Sequence, residues 1–257
     1  MSNTRKRSFS GEIQPTGEMN QQIQQLQAVF KHCLQLPPSE IQAIRRSQSF
    51  RRTNQPWNKH YFNSRKSIGA LVYLYKQGHC QSVQGFQDYY LQTGQLLNKN
   101  PQLDAYYHGR TLEKLTKLAH RFHQVLGKNY SFEDACFYVW IRLFFETHEG
   151  VQREQRALKR YQETHPQLEV IPSEVEKDFK YAVDAEVFEA GVLIYALQVK
   201  SVYYIKDQQA ILKETKQYNH RKHQAYQQRY GVPVYYLIVD KKGEKSSLIE
   251  TTKTGKK

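Results

Sequence analysis

The sequence predicts an α+β protein: a mixed β-sheet flanked by helices at the C-terminal end, behind a mostly helical N-terminal region. Three observations predict it. Residues 181–200, YAVDAEVFEAGVLIYALQVK, read as two apolar strands joined at Glu189-Ala190-Gly191. A further apolar run, VPVYYLIV at 232–239, follows a long polar stretch of helical composition. Apolar residues recur every three to four positions through 111–126, the spacing of an amphipathic helix.

Taken along the chain, residues 1–20 (MSNTRKRSFSGEIQPTGEMN) are polar and punctuated by glycine and proline, which predicts a flexible basic arm. Residues 21–148 form the helical region. A glutamine-rich helix is expected near 19–35, others at 65–77 and 79–97. In 111–126, Leu112, Leu115, Leu118, Ala119, Phe122 and Val125 share one face. FEDACFYVWIRLFFET at 132–147 is the most apolar helix and the expected centre of the bundle. It is too short, and too charged at its ends, to span a bilayer. From 149 to 257 the predicted order is αβββαβ: a helix at 149–164 after Gly150, strands at 168–172, 181–188 and 192–204, a polar helix at 207–229 and a strand at 232–239.

The hairpin carries the chemistry. Alternation in AVDAEVF places Val183, Ala185 and Val187 on one face and Asp184 and Glu186 on the other. VLIYALQV is nearly continuous in apolar residues, as in a strand covered on both sides. Gly191, free to take φ > 0, suits a tight turn between them. Gln198 and Lys200 are two apart and share a face; one residue of register decides whether Asp184 joins them. An amide and a lysine thus close an apolar strand, where packing alone prefers apolar side chains. Glu214-Thr215-Lys216 repeats the spacing, but in a polar helical segment where Glu and Lys form a solvated face. In helix 149–164 the buried stripe runs Val151, Glu154, Leu158, Tyr161, so a carboxylate occupies the core-facing row. A buried carboxylate needs a partner: a metal ion, or an arginine such as Arg153 or Arg156.

The element order, Asp184 and Gln198-Val199-Lys200 resemble the PD-(D/E)xK nuclease superfamily. The run from 149 to 205 (EGVQREQRALKRY, DFKYAVDAEVF, LIYALQVKS) is similar to the MjaI-type family of type II restriction endonucleases. The resemblance implies a restriction-endonuclease-like core that hydrolyses phosphodiester bonds of double-stranded DNA at specific sequences, with Mg²⁺ as cofactor and a homodimer as the working unit. It implies roles as well. Asp184, as the acidic ligand, Gln198 and Val199 would be the metal-binding residues, with Gln198 standing where the superfamily has Glu or Asp, and Lys200 would be the lysine. Glu154 would be the additional helix-borne carboxylate, and Asp178 is a second candidate for the acidic position. Glutamine at 198 removes one negative charge, which Glu154 or Glu186 would restore. A transposon-end or repair nuclease would share this site; a DNA-binding protein without activity would keep only the charge.

The composition suits a polyanionic partner. Lys and Arg number 38 against 24 Asp and Glu, a net charge of +14. Residues 1–130 hold 18 basic and 6 acidic side chains, residues 131–257 hold 20 and 18. The surplus therefore lies in the N-terminal part, which suits a grip on phosphates there and metal chemistry in the other. Arg45, Arg46, Arg51, Arg52, Lys59, Arg65 and Lys66 are the candidate DNA-binding residues. Phe50, Trp57, His60, Tyr61 and Phe62 lie among them, either as stacking groups or as core. Lys213, Lys216, His220, Arg221, Lys222, His223 and Arg229 form a second basic set on helix 207–229. Cys33, Cys80 and Cys136 are too few and too scattered for a disulfide frame. His120/His123 and His220/His223 have helical spacing but lack a third zinc ligand nearby. No phosphate-cradling glycine loop, G-x-S-x-G elbow or signal peptide is present, which points to a cytoplasmic protein that is neither an NTP-driven motor nor a serine hydrolase.

Overall fold

The computed structural model describes residues 17–202, 204, 210–240 and 246–251. The helices are α1 (Gly17–Gln35), α2 (Pro38–Arg46), α3 (Gln48–Arg52), α4 (Asn54–Lys59), α5 (Arg65–Ile68), α6 (Leu71–Gln77), α7 (Val83–Lys99), α8 (Leu112–Leu126), α9 (Phe132–Trp140), α10 (Glu146–Thr164), α11 (Val175–Tyr181) and α12 (Ala210–Tyr230). The strands are β1 (Leu168–Pro172), β2 (Ala185–Glu189), β3 (Val192–Ser201), β4 (Val234–Val239) and β5 (Ser246–Glu250). The fold is mixed α+β. No helix among the described residues is long and apolar enough to cross a membrane. The chain divides into two compact units, Met1–Gly69 with Tyr90–Arg142, and Ala70–Tyr89 with Leu143–Lys257. The expected boundary at 148/149 is therefore displaced: Ala70–Tyr89, with α6, folds with the C-terminal unit. Most of the expected basic arm lies outside the described residues, and its last four residues begin α1.

The C-terminal unit is built on a five-stranded sheet in the order β1-β2-β3-β4-β5, antiparallel except for the parallel pair β3/β4. The parallel pair needs a crossover, and α12 supplies it. Alternation sorts the side chains of β3 and β4. Leu197, Leu237 and Val239 pack with Ala157, Leu158 and Tyr161 of α10, whereas Ala196 and Val234 pack with Tyr181 and Tyr226 of α11 and α12. Coverage on both faces is why β3 reads as an almost unbroken apolar run. Its hairpin with β2 closes at Ala190 (φ 49°) and Gly191 (φ 78°), the two positive values of a type I′ turn.

Three departures from the predicted elements have local causes. Helix α10 does not start at Gly150. It continues from α9 through a π-helical turn at Ile141–Phe145, so Gly150 lies inside it. Residues 175–181 form a helix, α11, before β2, and it ends on Ala182 in the left-handed region (φ 55°). A seven-residue helix is too short to show a period. As a result the strand begins at Ala185, and Val183 packs with Ala196 and Tyr226 while Ala185 and Val187 face α10. The single face expected for these three residues does not exist. β5 was not expected, since Ser-Ser-Leu-Ile-Glu is brief and follows a charged segment.

In the N-terminal unit Leu26 and Phe30 of α1, Leu115, Ala119 and Phe122 of α8, and Cys136, Val139 and Trp140 of α9 are buried. The stretch around 45–66 is three short helices, with Ser47 capping α3 and Ser64 capping α5. The expected helix at 65–77 is interrupted by Gly69 (φ 76°), which separates α5 from α6. Arg110, 4% exposed, organises the α5 region. Its guanidinium donates to the carbonyls of Ser67, Ala105, His108, Gly109, Arg65 and Lys66 at 2.7–3.0 Å. Gly109 and Gly94 permit this approach: a Cβ on Gly109 would stand 1.9 Å from the Tyr90 carbonyl oxygen, and one on Gly94 2.4 Å from Arg110.

Lysine cannot reproduce the planar fork that serves these six carbonyls. Arg110→Lys is expected to lower unfolding free energy by on the order of 3 kcal/mol, through buried acceptors left without donors. Urea unfolding measures it, and a loss below about 1 kcal/mol would show that water replaces the guanidinium at little cost.

Candidate metal centre

The site is assembled from four elements of the C-terminal unit. Glu154 comes from the inward row of α10, between buried Val151 and Leu158, as the stripe predicts. Asp178 comes from α11, one turn before the left-handed end whose Ala182 N–H bonds back to the Asp178 carbonyl at 2.7 Å. Asp184 sits in the lead-in to β2. Its own N–H donates to the Leu197 carbonyl (2.8 Å), and its Oδ2 accepts from the Val199 N–H (2.7 Å). Oxygens of these three carboxylates lie within 4.8 Å of one another. Lys76 of α6 completes the group: its Nζ is 2.7 Å from Glu154 Oε1 and 2.5 Å from Asp178 Oδ2. The partner of the buried glutamate is thus a lysine 78 positions upstream, rather than Arg153 or Arg156.

The electrostatics follow from burial. Burial first, then the Glu154 and Asp178 carboxylates, holds the Asp184 carboxyl well above the ordinary aspartate range, against the pull of Lys76 and Lys200. Burial likewise raises Glu154, opposed mainly by Lys76. For Lys76, burial alone would lower the ammonium's pKa, but Glu154, Asp184 and Asp178 together reverse the sign and raise it. Lys76 therefore stays charged.

The end of β3 supplies the rest. Alternation puts Gln198 on the face opposite Leu197, paired with Tyr236 of β4. Gln198 is 4% exposed and its Oε1 has no hydrogen-bond partner. Lys200 lies two residues on, with its ammonium 5.3 Å from the centre of the Tyr204 ring. Its charge is felt by both Asp184 and Glu154. A pocket of about 220 Å³ opens there, lined by Glu154, Val199 and Lys200 and bounded by Gly150, Arg153 and Tyr204. The structure thus gathers Asp184, Glu154, Val199 and Lys200 around one site and adds Asp178 and Lys76. Glu186 belongs elsewhere: it accepts from Tyr226 and pairs with Lys177 at 2.8 Å, so it does not restore the charge missing at position 198.

The basic sets separate into exposed and committed residues. Arg46, Arg51, Arg52, Lys59 and Lys66 are exposed, Arg45 and Arg65 half-buried. Phe50, Trp57 and Phe62 are core residues, Trp57 standing 4.9 Å from Phe122, so they are not stacking platforms. His60 and Tyr61 are exposed. On α12, Lys222 donates to the Phe179 carbonyl, and His223 is buried with Nε2 3.2 Å from the Ala182 carbonyl. Burial lowers His223 to about 4, so it is neutral. That leaves Arg221 and Arg229 of the expected α12 surface exposed and Lys216 and His220 half-buried, with Lys213 outside the described side chains, as are Glu214 and Thr215. The three cysteines are buried free thiols. Neither histidine pair joins the acidic group.

Sequence reasoning missed Lys76. It ends an ordinary amphipathic turn, LVYLYKQ, and nothing there marks a lysine that will meet residues 78 and 102 positions later. Comparison with protein-family models, with curated proteins and with solved structures gives no match for this chain.

An acid held neutral by burial opposes folding wherever solvent would ionise it in the unfolded chain. Below about pH 4 both states of Asp184 are neutral, and above it the wild type loses stability with rising pH until the native carboxyl itself ionises. Asp184→Asn is therefore expected to melt higher than wild type in EDTA at about pH 7, with the gap closing toward about pH 4. Thermal unfolding across that range checks it; a variant that melts no higher at neutral pH would mean that Lys76 and Lys200 fully offset the burial.

Proposed function

We propose that this protein is a Mg²⁺-dependent endonuclease of restriction type, cutting double-stranded DNA as a homodimer. The observation that carries the reading is the convergence of Glu154, Asp178 and Asp184 beside a pocket lined by Glu154 and Lys200. The donor set fits a hard divalent cation, which prefers carboxylate and amide oxygens. The buried, unpartnered Oε1 of Gln198 argues in the same direction, because an orphaned carbonyl costs about 1–3 kcal/mol unless something meets it. Asp184, Glu154 and Asp178 would hold the ion, with Gln198 as the neutral donor and Asp178 supplying the charge that Gln198 lacks.

When bound, Mg²⁺ would neutralise phosphate charge and acidify a water molecule. The chain's own groups then have definite tasks. Hydrolysis adds a water oxygen to phosphorus and breaks the bond to the 3′ oxygen. Negative charge grows on the phosphoryl oxygens as this happens. Lys200, at the pocket wall, supplies a cation and N–H donors to those oxygens. Val199 N–H orients Asp184 through its 2.7 Å bond. The exposed Arg46, Arg51, Arg52, Lys59 and Lys66 would contact backbone phosphates, which contribute affinity and register without reading bases. A twofold dimer would match a palindromic duplex site with one catalytic centre per strand.

Purified protein incubated with unmethylated plasmid and phage DNA tests the reading. Discrete fragments are expected with Mg²⁺ and none with EDTA. Lys200→Ala is expected to cut about 10²–10³ times more slowly, the usual cost of losing one preorganised donor to a developing anion, and Asp184→Asn not measurably. Salt-sensitive binding with no cutting under any divalent metal would leave a DNA-binding protein in place of the enzyme.

A further inference from the structure

Lys76 is a half-buried lysine at an acidic centre, and the proposed chemistry leaves it without a task. It bridges Glu154 and Asp178 at hydrogen-bonding distance, with 17% of each of the three side chains exposed. Its own unit, Ala70–Tyr89 with Leu143–Lys257, holds all the carboxylates it meets. An ion pair placed only for stability would not need two carboxylates, with a third close enough for its charge to raise the lysine. Surface pairs of that kind contribute little, and buried ones barely offset their desolvation.

We infer that Lys76 is a fixed cation of the metal centre, standing where a second divalent ion would stand, so that the site works with one. This rests on the metal-dependent reading above. Three ionised carboxylates against the ammoniums of Lys76 and Lys200 leave a formal charge of −1, enough to attract one divalent ion and too little for two. Two-metal sites place their ions about 3.5–4 Å apart and need negative charge enough for both. Here the amide of Gln198 provides none, and the ammonium already takes one oxygen each from Glu154 and Asp178. Each carboxylate keeps a second oxygen, and Gln198 Oε1 is unpartnered, so donors for one ion remain. Lys76 is accordingly a positioning residue: it holds Glu154 and Asp178 in place and fixes how many ions enter.

Calorimetric titration of the full chain with Mn²⁺, run beside Mg²⁺-dependent cleavage, tests this. Wild type is expected to bind one Mn²⁺ per chain, Lys76→Arg also one, and Lys76→Met two. Should Lys76→Met fail to fold, Lys76→Gln keeps donors for the carboxylates without the charge and carries the same expectation. Two ions on the wild type, or a single ion on the uncharged variant, overturns the inference. A wild type that binds one ion and cuts, with the uncharged variant unchanged in its count, defeats only the role of Lys76. A wild type that binds no Mn²⁺ and cuts nothing defeats the metal-dependent reading itself.

Discussion

Glu154, Asp178 and Asp184 stand within 4.8 Å of one another in a poorly solvated setting, and like charges there repel with little water between them. The ammonium of Lys76 makes the arrangement tolerable. Its position dictates much else in the C-terminal unit. Helix α6 must be part of that unit, although it precedes the sheet by about a hundred positions. Helix α11 must end sharply, so that Asp178 and Asp184 converge; the left-handed Ala182 does this at a cost of roughly 1–2 kcal/mol for a residue with a Cβ. The Val199 N–H must be free of the sheet ladder to reach Asp184, and the chain meets that need by entering β2 only at Ala185.

The sheet turns this cluster into a site with an opening. Helix α10 covers one face and α11 with α12 the other, so β3 is apolar until its last residues. There Gln198 and Lys200 interrupt the pattern. The pocket beside them is bounded by Ser201 and Val239, the ends of the two parallel strands. In open sheets with helices on both sides, ligands gather beyond the carboxyl ends of parallel strands, where strand and helix termini leave a crevice. A buried amide with an unpartnered oxygen at that end breaks a packing rule. Such local violations concentrate where a ligand, rather than packing, has shaped the residue.

Much of this was legible in the sequence. The hairpin with a tight turn at Gly191, the inward row of α10 and the order of strands along the chain around the crossover helix all follow from periodicity and turn chemistry. What was not legible falls into two kinds. Helices α2, α3, α4 and α11 span five to nine residues, too few for a period to stand out. In α3 and α4 the buried aromatics Phe50 and Trp57, with the Ser47 cap of α3, decide the structure. The other kind is tertiary. Asp184 and Glu186 alternate perfectly on paper, yet one non-glycine residue in the left-handed region sends Asp184 toward Glu154 and leaves Glu186 to Tyr226 and Lys177. Lys76 was invisible for a similar reason: its meaning lies wholly in residues that folding brings to it.

Glutamine at position 198 is best understood together with Lys76 and Asp178. A glutamate there would bury a further carboxylate, 4% exposed, in a unit that already holds three balanced only in part by Lys76 and Lys200. Desolvation would push it toward the neutral acid, and a neutral acid at that depth offers a metal little more than an amide does. The amide keeps a buried, unpartnered oxygen and adds no charge. Asp178, drawn in by α11, returns a carboxylate at a place where Lys76 can neutralise it. The acidic groups thus stand on α10, α11 and the lead-in to β2 rather than on β3, and the lysine from α6 is the condition that lets them converge.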